Sequence, residues 1–281
     1  MLLGFKTSPE NTTWEQLRAV WVEADDIEIF DVGWNFDHFY PVYSERSGPC
    51  IEAWTSLAAL SQATRRVRLG CLVTGVLYRH PAVLANMAAA VDIMSGGRLE
   101  LGLGAGWMEP ECKAYGIELG TIAERFDRFD EACEVLSGLL TRSQTTFHGS
   151  YYDLTDAYCE PKGVQQPPPI TIGGIGEKRL LRAVARFADW WNLPAWDRDL
   201  YRRLLDVLAG HCAEIGRDPN EIRTSAHLYV AAGTEASQVA EQVADCYDAG
   251  LDQPIVYFQP PLDPAVLAPI ATAVEPLKGE R

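Results

Sequence analysis

Short apolar runs alternate with amphipathic stretches along the whole chain. "LLGFK" at 2–6 predicts a first strand. "TTWEQLRAVWVEA" follows, with Trp14, Leu17, Val20 and Trp21 at helical spacing. Thr12 or Thr13 can cap that helix, and Glu15 stands three residues after Thr12. "IEIFDVGW" (27–34) predicts a second strand, 51–63 a helix and "VRLGCLVTG" (67–75) a third strand. Pro81 suits the first turn of the next helix, where its missing N–H costs nothing, and Gly96-Gly97 suits its end. "RLELGLGAG" (98–106) predicts strand four. Residues 107–169 break the rhythm: they hold a helix over 121–140, opened by a Thr121/Glu124 capping box, then the turn-rich "TTFHGSYYDL" and the "PPP" of 167–169. Regularity resumes with strands at 170–174, 189–193, 223–232 and 253–258, each followed by a helical pattern; the first of these helices is expected from about 177.

Eight strand–helix units predict a parallel sheet. In 281 residues they favour a closed (β/α)8 TIM barrel, which needs roughly 250, over the alternative of a doubly wound open sheet. The stretch of about residues 107–169 is then an insertion between strands 4 and 5, and 1–281 is read as one domain. Charge narrows the partners. With 24 Lys+Arg against 39 Asp+Glu, the net charge of −15 argues against nucleic acid and anionic membranes. Seven scattered cysteines form no C-x-x-C pair and read as reduced core thiols. No signal peptide or apolar span of roughly 18 residues is evident, so a cytoplasmic protein is expected.

In a barrel of this kind chemistry sits at the carboxyl ends of the strands. Asp37-His38, Thr74-Gly75, Gly104 to Trp107, Gly173 to Gly176 and Asn192 all fall there. "GLGAGW" fails the dinucleotide fingerprint, because its third glycine position is Trp107; tight strand-end packing explains it equally well. "GGIGEKRLL" runs glycines into a helix start, so its N–H groups suit an anion, with a plain strand-to-helix turn as the alternative. The histidines make no H-x-H or H-E-x-x-H, so no metal is expected. His80 reads as a helix-entry residue and His227 as core. His38 alone stands where proton chemistry is expected, beside a carboxylate that can hold its position or charge.

The segments "NFDHFYP", "LGCLVTGVLYRHPAVLANMAAAVDIMSGGRLELGLGAGW", "ERFDRFDEACEVL", "CEPKGVQQPPPITIGG" and "ADWWNLP", in that order, resemble the luciferase-like monooxygenase superfamily. More narrowly they resemble its branch that uses the deazaflavin coenzyme F420. The resemblance implies a flavin or deazaflavin across the barrel mouth. It implies Asp37 and His38 as the acid–histidine pair beside the ring, with His38 as the group that gives or takes a proton during hydride transfer. It implies a bulge with a non-proline cis peptide within Cys71 to Thr74 that backs the ring, including Leu72, and a polar contact from Thr74. Ala105 and Gly106 match backbone contacts to the cofactor, and Gly173, Gly174 and Gly176 match the loop that holds its phosphate.

One position departs from the family pattern. Its sugar-phosphate dehydrogenases carry a glutamate, as general base, directly after the strand-four glycine, where this chain has Trp107. An indole there supplies an apolar wall for substrate. The expected activity is therefore reduction of a C=C or C=N bond of a small organic substrate, with hydride from reduced F420. Glu109 and Glu111 lie close by and keep the dehydrogenase reading open. An FMN-dependent monooxygenase and a non-catalytic flavin-binding barrel are the alternatives. Trp34, Trp107 and Met108 are the expected substrate pocket, with Tyr115 and residues 144–169 adding to the specificity surface. Family members are often dimers, so a homodimer is among the expected partners.

Overall fold

Strand β1 (Gly4–Thr7) sets out how the barrel is built. Its side chains alternate between two faces. Phe5 meets Trp21 edge-on, with ring centroids 5.1 Å apart, and the Thr7 hydroxyl accepts a hydrogen bond from the Trp21 indole at 2.9 Å. Trp21 belongs to helix α1 (Trp14–Asp26), so this face looks outward. Gly4 and Lys6 take the inner face, where a methyl on Gly4 would touch Ile255 and Val32.

The computed structural model describes residues 1–42 and 44–278. After α1 come β2 (Val32–Asn35), α2 (Ala53–Ala63), β3 (Arg68–Gly75), α3 (Pro81–Ser95) and β4 (Leu99–Gly104). Then follow α4 (Glu109–Ala114), α5 (Ile122–Thr141), β5 (Thr145–His148) and β6 (Asp153–Ala157). The chain continues with β7 (Ile170–Gly173), α6 (Leu180–Phe187), β8 (Trp190–Leu193), α7 (Arg198–Ile215), β9 (Arg223–Val230), α8 (Ala236–Asp248), β10 (Gln253–Phe258) and α9 (Leu267–Lys278). The strands close in the order β1-β10-β9-β8-β7-β4-β3-β2. Because β1 pairs in parallel with both β2 and β10, the sheet has no edge, and the open doubly wound alternative is excluded. This is the expected (β/α)8 barrel. One large apolar core lies between strands and helices, and a small inner cluster of Val32, Trp34, Leu72 and Ile255 fills the barrel axis.

The long stretch between β4 and β7 contains the fourth barrel helix, α5, and a hairpin of β5 and β6. Glu131 of α5 ties the hairpin down by accepting from the backbone N–H groups of Ser150, Tyr151 and Tyr152. Thr121 and Glu124 form the expected capping box of α5, and His80 accepts from Ala82 N–H at the start of α3.

Three local expectations shift. The α1 capping box is Thr13 with Gln16, not Thr12 with Glu15. Strand two starts at Val32 rather than residue 27, because the Arg66 guanidinium gathers the carbonyls of Ala24, Asp25, Ile27, Glu28 and Phe30 and curls that segment around itself. Helix α6 starts at Leu180 rather than near 177, leaving the intervening residues as a turn. All seven cysteines are unpaired.

The pairing of β3 with β4 slips between Cys71 and Thr74. The peptide Leu72–Val73 within that bulge is cis. Gly102 lies opposite: a Cβ there would stand 2.0 Å from the Cys71 carbonyl oxygen. Gly102→Ala is therefore expected to destabilise the protein by about 3 kcal/mol or more, because backbone rather than a flexible side chain must move. Urea unfolding measures it, and an unchanged midpoint would refute this register.

Candidate active site

The carboxyl ends of the strands surround a cavity of about 670 Å³. That volume suits a ligand of cofactor size. Its inner wall is the bulge, through Leu72 and Val73. Phe36, Asp37 and His38 form a second wall after β2, and Gly104 to Trp107 a third after β4. Gly173, Gly174 and Ile175 form the fourth, after β7. Exposure grades from inside to outside. Leu72 is 3% exposed and Lys6 5%, whereas the rim residues Trp107 and Ile122 reach 59% and 66%.

His38 is held from behind. Its Nδ1 lies 2.8 Å from Oε2 of Glu111, a carboxylate brought in by the short helix α4. The same carboxylate accepts from Phe39 N–H at 2.7 Å and from the Tyr78 hydroxyl. Burial works against the Glu111 charge, but the hydrogen bonds from His38, Tyr78 and Phe39 outweigh it and hold its pKa below the ordinary value. An ionised carboxylate accepts only, so Nδ1 carries the proton. Nε2 has no protein partner among the described residues and is the ring nitrogen open to a ligand. Trp107 packs edge-on against His38, with centroids 5.8 Å apart.

Asp37 is not the partner of His38. Asp37 is instead clamped by both terminal nitrogens of Arg79 at 2.5 and 3.0 Å, with Glu52 sharing the same guanidinium. The sequence neighbour thus fixes the loop, and the histidine's acid arrives from 73 residues away.

Other expected site residues lie elsewhere. The Thr74 hydroxyl is fully buried and accepts from the Trp54 indole at 2.9 Å, turned away from the cavity. Cys71 is buried behind the bulge, its thiol pKa pushed up by burial. Trp34 sits in the small inner cluster rather than on the cavity wall. Met108 starts α4 and does not line the cavity. Gly176 lies just beyond it, ahead of the turn that leads into α6. No residue of 144–169 and no atom of Tyr115 contributes to the lining. Leu72, Ala105, Gly106, Gly173, Gly174 and Trp107 do.

In the glycine loop the backbone of Gly174 and the nearby Arg179 are both engaged within the protein. Gly174 has φ +138°, and a Cβ there would run into Leu180. Its N–H donates to the Asn192 carbonyl, and its own carbonyl accepts from the Trp191 indole. Arg179 is engaged by Asp127 at 2.6 Å. The cation facing this loop across the cavity is Arg125, which donates to the Gly106 carbonyl at 3.0 Å and keeps a buried Nε without a partner. Lys6 and His227 complete the inner end. Lys6 is not among the expected site residues, and His227 is expected in the core. Lys6 follows from the parity of β1, but His227 reads as core until the barrel closes.

Comparison with known proteins gives a consistent picture. The luciferase-like monooxygenase family model matches residues 4–269. An F420-dependent hydroxymycolic acid dehydrogenase of Mycobacterium tuberculosis is 32% identical over 228 residues, which cover 79% of this chain and 61% of that protein. An F420-dependent glucose-6-phosphate dehydrogenase of Amycolatopsis mediterranei is 34% identical over 178 residues, 62% of this chain and 52% of that one. The chain thus spans under two thirds of the length of these relatives. Among solved structures, an F420-dependent secondary alcohol dehydrogenase in complex with an F420-acetone adduct superposes with a TM-score of 0.84 at 19% identity, covering 96% of this chain and 98% of that one. That likeness concerns the fold.

Proposed function

Since the chain belongs to the luciferase-like monooxygenase family, we propose that it is a coenzyme F420-dependent oxidoreductase acting as a reductase on a C=C or C=N bond of a small organic substrate. The observation that carries this reading is the pairing of His38 with Glu111: a histidine on the cavity wall, its Nδ1 held by a buried carboxylate and its Nε2 open. Such a histidine, once protonated, gives its proton from Nε2 while Glu111 supports the positive charge.

The cavity fits a tricyclic ring with a phosphate tail. Leu72 and Val73 offer an apolar shelf, Ala105 and Gly106 an open backbone edge, and Gly173 and Gly174 a wall without side chains next to Ile175. Arg125 suits the tail's negative charge, because it has no carboxylate partner among the described residues. When bound, the coenzyme supplies hydride. The protein's share is to orient the ring, exclude water and move a proton at His38. Trp107 stands where a carboxylate base would, Glu111 already accepts from three donors and Glu109 is exposed, so His38 is the group left to move the proton.

Titration of the protein with F420 and with FMN, followed by tryptophan fluorescence, tests the cofactor. Tighter binding of FMN would replace the reading with flavin chemistry. The phosphate assignment has its own test. Gly174→Asp would strain the backbone whatever binds, so Gly176, whose Cβ would meet only Leu180, in a tight contact of 3.3 Å that a small side-chain shift relieves, is the better site. Gly176→Asp is expected to weaken F420 by about tenfold or more through charge repulsion. A deazaflavin lacking the phosphate should bind the variant and the parent alike. Equal weakening of both ligands would remove the phosphate from this loop.

A further inference from the structure

Lys6 has no task in this reading, yet it occupies the inner end of the cavity. It is 5% exposed. Its Nζ donates to the Leu72 carbonyl at 2.8 Å and stands 4.6 Å from the centre of the Tyr257 ring. No carboxylate is among the groups that set its charge. Burial pulls its pKa down to about 7, with only a partial offset from Cys71.

Among the described residues, Lys6 has no carboxylate partner. His227 donates from Nδ1 to the Pro194 carbonyl at 3.1 Å, and its Nε2 is buried without a partner. Burial, and then Lys6, hold its pKa well below the ordinary value, so the ring is neutral. The Cys71 thiol stays protonated through burial. Tyr257 shares a hydrogen bond with Ser8 at 2.9 Å. Asp37 is taken up by Arg79. A buried ammonium with no anion is costly. A ligand that brings negative charge to the shelf would remove that cost.

We propose that Lys6 is the counter-ion for the negative charge that distinguishes the reduced from the oxidised form of a ring lying on the Leu72–Val73 shelf. This rests on the reading that the shelf holds a deazaflavin or flavin ring. The reduced form carries one hydride more than the oxidised form, hence two electrons and one proton. It is therefore one negative charge richer until a further proton is added. That charge spreads over N1 and the adjoining carbonyl of the pyrimidinedione, an edge that F420 and FMN share. The shelf carbonyl that Lys6 holds, Leu72 O, belongs to the surface on which such a ring would lie. Lys6 is thus a positioning and tuning residue, distinct from the proton donor His38.

The test compares dissociation constants of oxidised and reduced coenzyme for the parent, Lys6→Met and Lys6→Gln, measured anaerobically by tryptophan fluorescence. Thermal unfolding checks that the variants are folded. Lys6→Met is expected to weaken the reduced form by about tenfold while leaving the oxidised form within about threefold. Each tenfold difference lowers the midpoint potential of the bound coenzyme by about 30 mV, a readout independent of turnover. Lys6→Gln keeps a donor for the Leu72 carbonyl without charge and is expected to behave like Lys6→Met. Parent-like discrimination in Lys6→Gln, or equal weakening of both redox forms, would make Lys6 a brace for the bulge and overturn the proposal. If the parent binds FMN instead, the same comparison with FMN decides it, and only the F420 reading falls. Binding of neither overturns both.

Discussion

Turnover of the His38→Ala variant is expected to fall by roughly 100-fold or more, the usual contribution of a positioned proton donor. Cofactor affinity should stay within about threefold, because the shelf and the glycine loop, not the imidazole, carry most of the contact with a bound ring. The reasoning is geometric. Glu111 fixes the imidazole from behind at Nδ1, and Trp107 and Phe36 meet it edge-on, with centroids 5.8 and 5.3 Å away. The ring therefore presents Nε2 in a defined direction. A single-turnover experiment with preformed reduced coenzyme separates the two effects. Unchanged turnover with lost affinity would make His38 a binding residue.

Glu111→Gln is expected to have the second largest effect, through two separate routes. The first is stability. The Glu111 side chain is wholly buried and collects three donors, so loss of its charge should cost about 1.5–3 kcal/mol. Its pKa in the folded protein is depressed, so its stabilisation is complete above the unfolded value near ~4.3 and disappears as pH falls through the lower folded value. The parent should lose this contribution in that acidic window, and Glu111→Gln should lack the corresponding pH dependence. The second route is catalytic. Without the carboxylate the imidazole loses the partner that fixes its Nδ1, so turnover should fall as well. A drop in melting temperature with unchanged turnover would mean that Glu111 is structural only.

The fold was legible because strand and helix periods differ and the caps are local. Pro81, Gly96 and the Thr121/Glu124 pair mark ends that need no tertiary information. The late start of β2 was not legible, since Arg66, which curls the preceding segment, lies some 40 residues on. The same division runs through the candidate site. Strand-end glycines and His38 could be placed by position. The identity of the histidine's acid could not: Asp37 is adjacent in sequence, but Arg79, 42 residues on, takes it up, and α4 supplies Glu111 instead. Thr74 illustrates the opposite error. It stands at the right strand end, but the bulge turns its hydroxyl toward Trp54. Lys6 was hidden by its company, a lysine within an apolar run whose inward parity matters only once the barrel is closed.

The gradient of exposure through the cavity, from Leu72 at 3% to Trp107 at 59% and Ile122 at 66%, has a kinetic meaning. Whatever lies on the Leu72–Val73 shelf is covered by whatever rests against Trp107. The first to arrive is thus the last to leave. Initial-rate patterns should be those of an ordered sequence, coenzyme on first and off last, with the spent coenzyme competing against the incoming coenzyme alone.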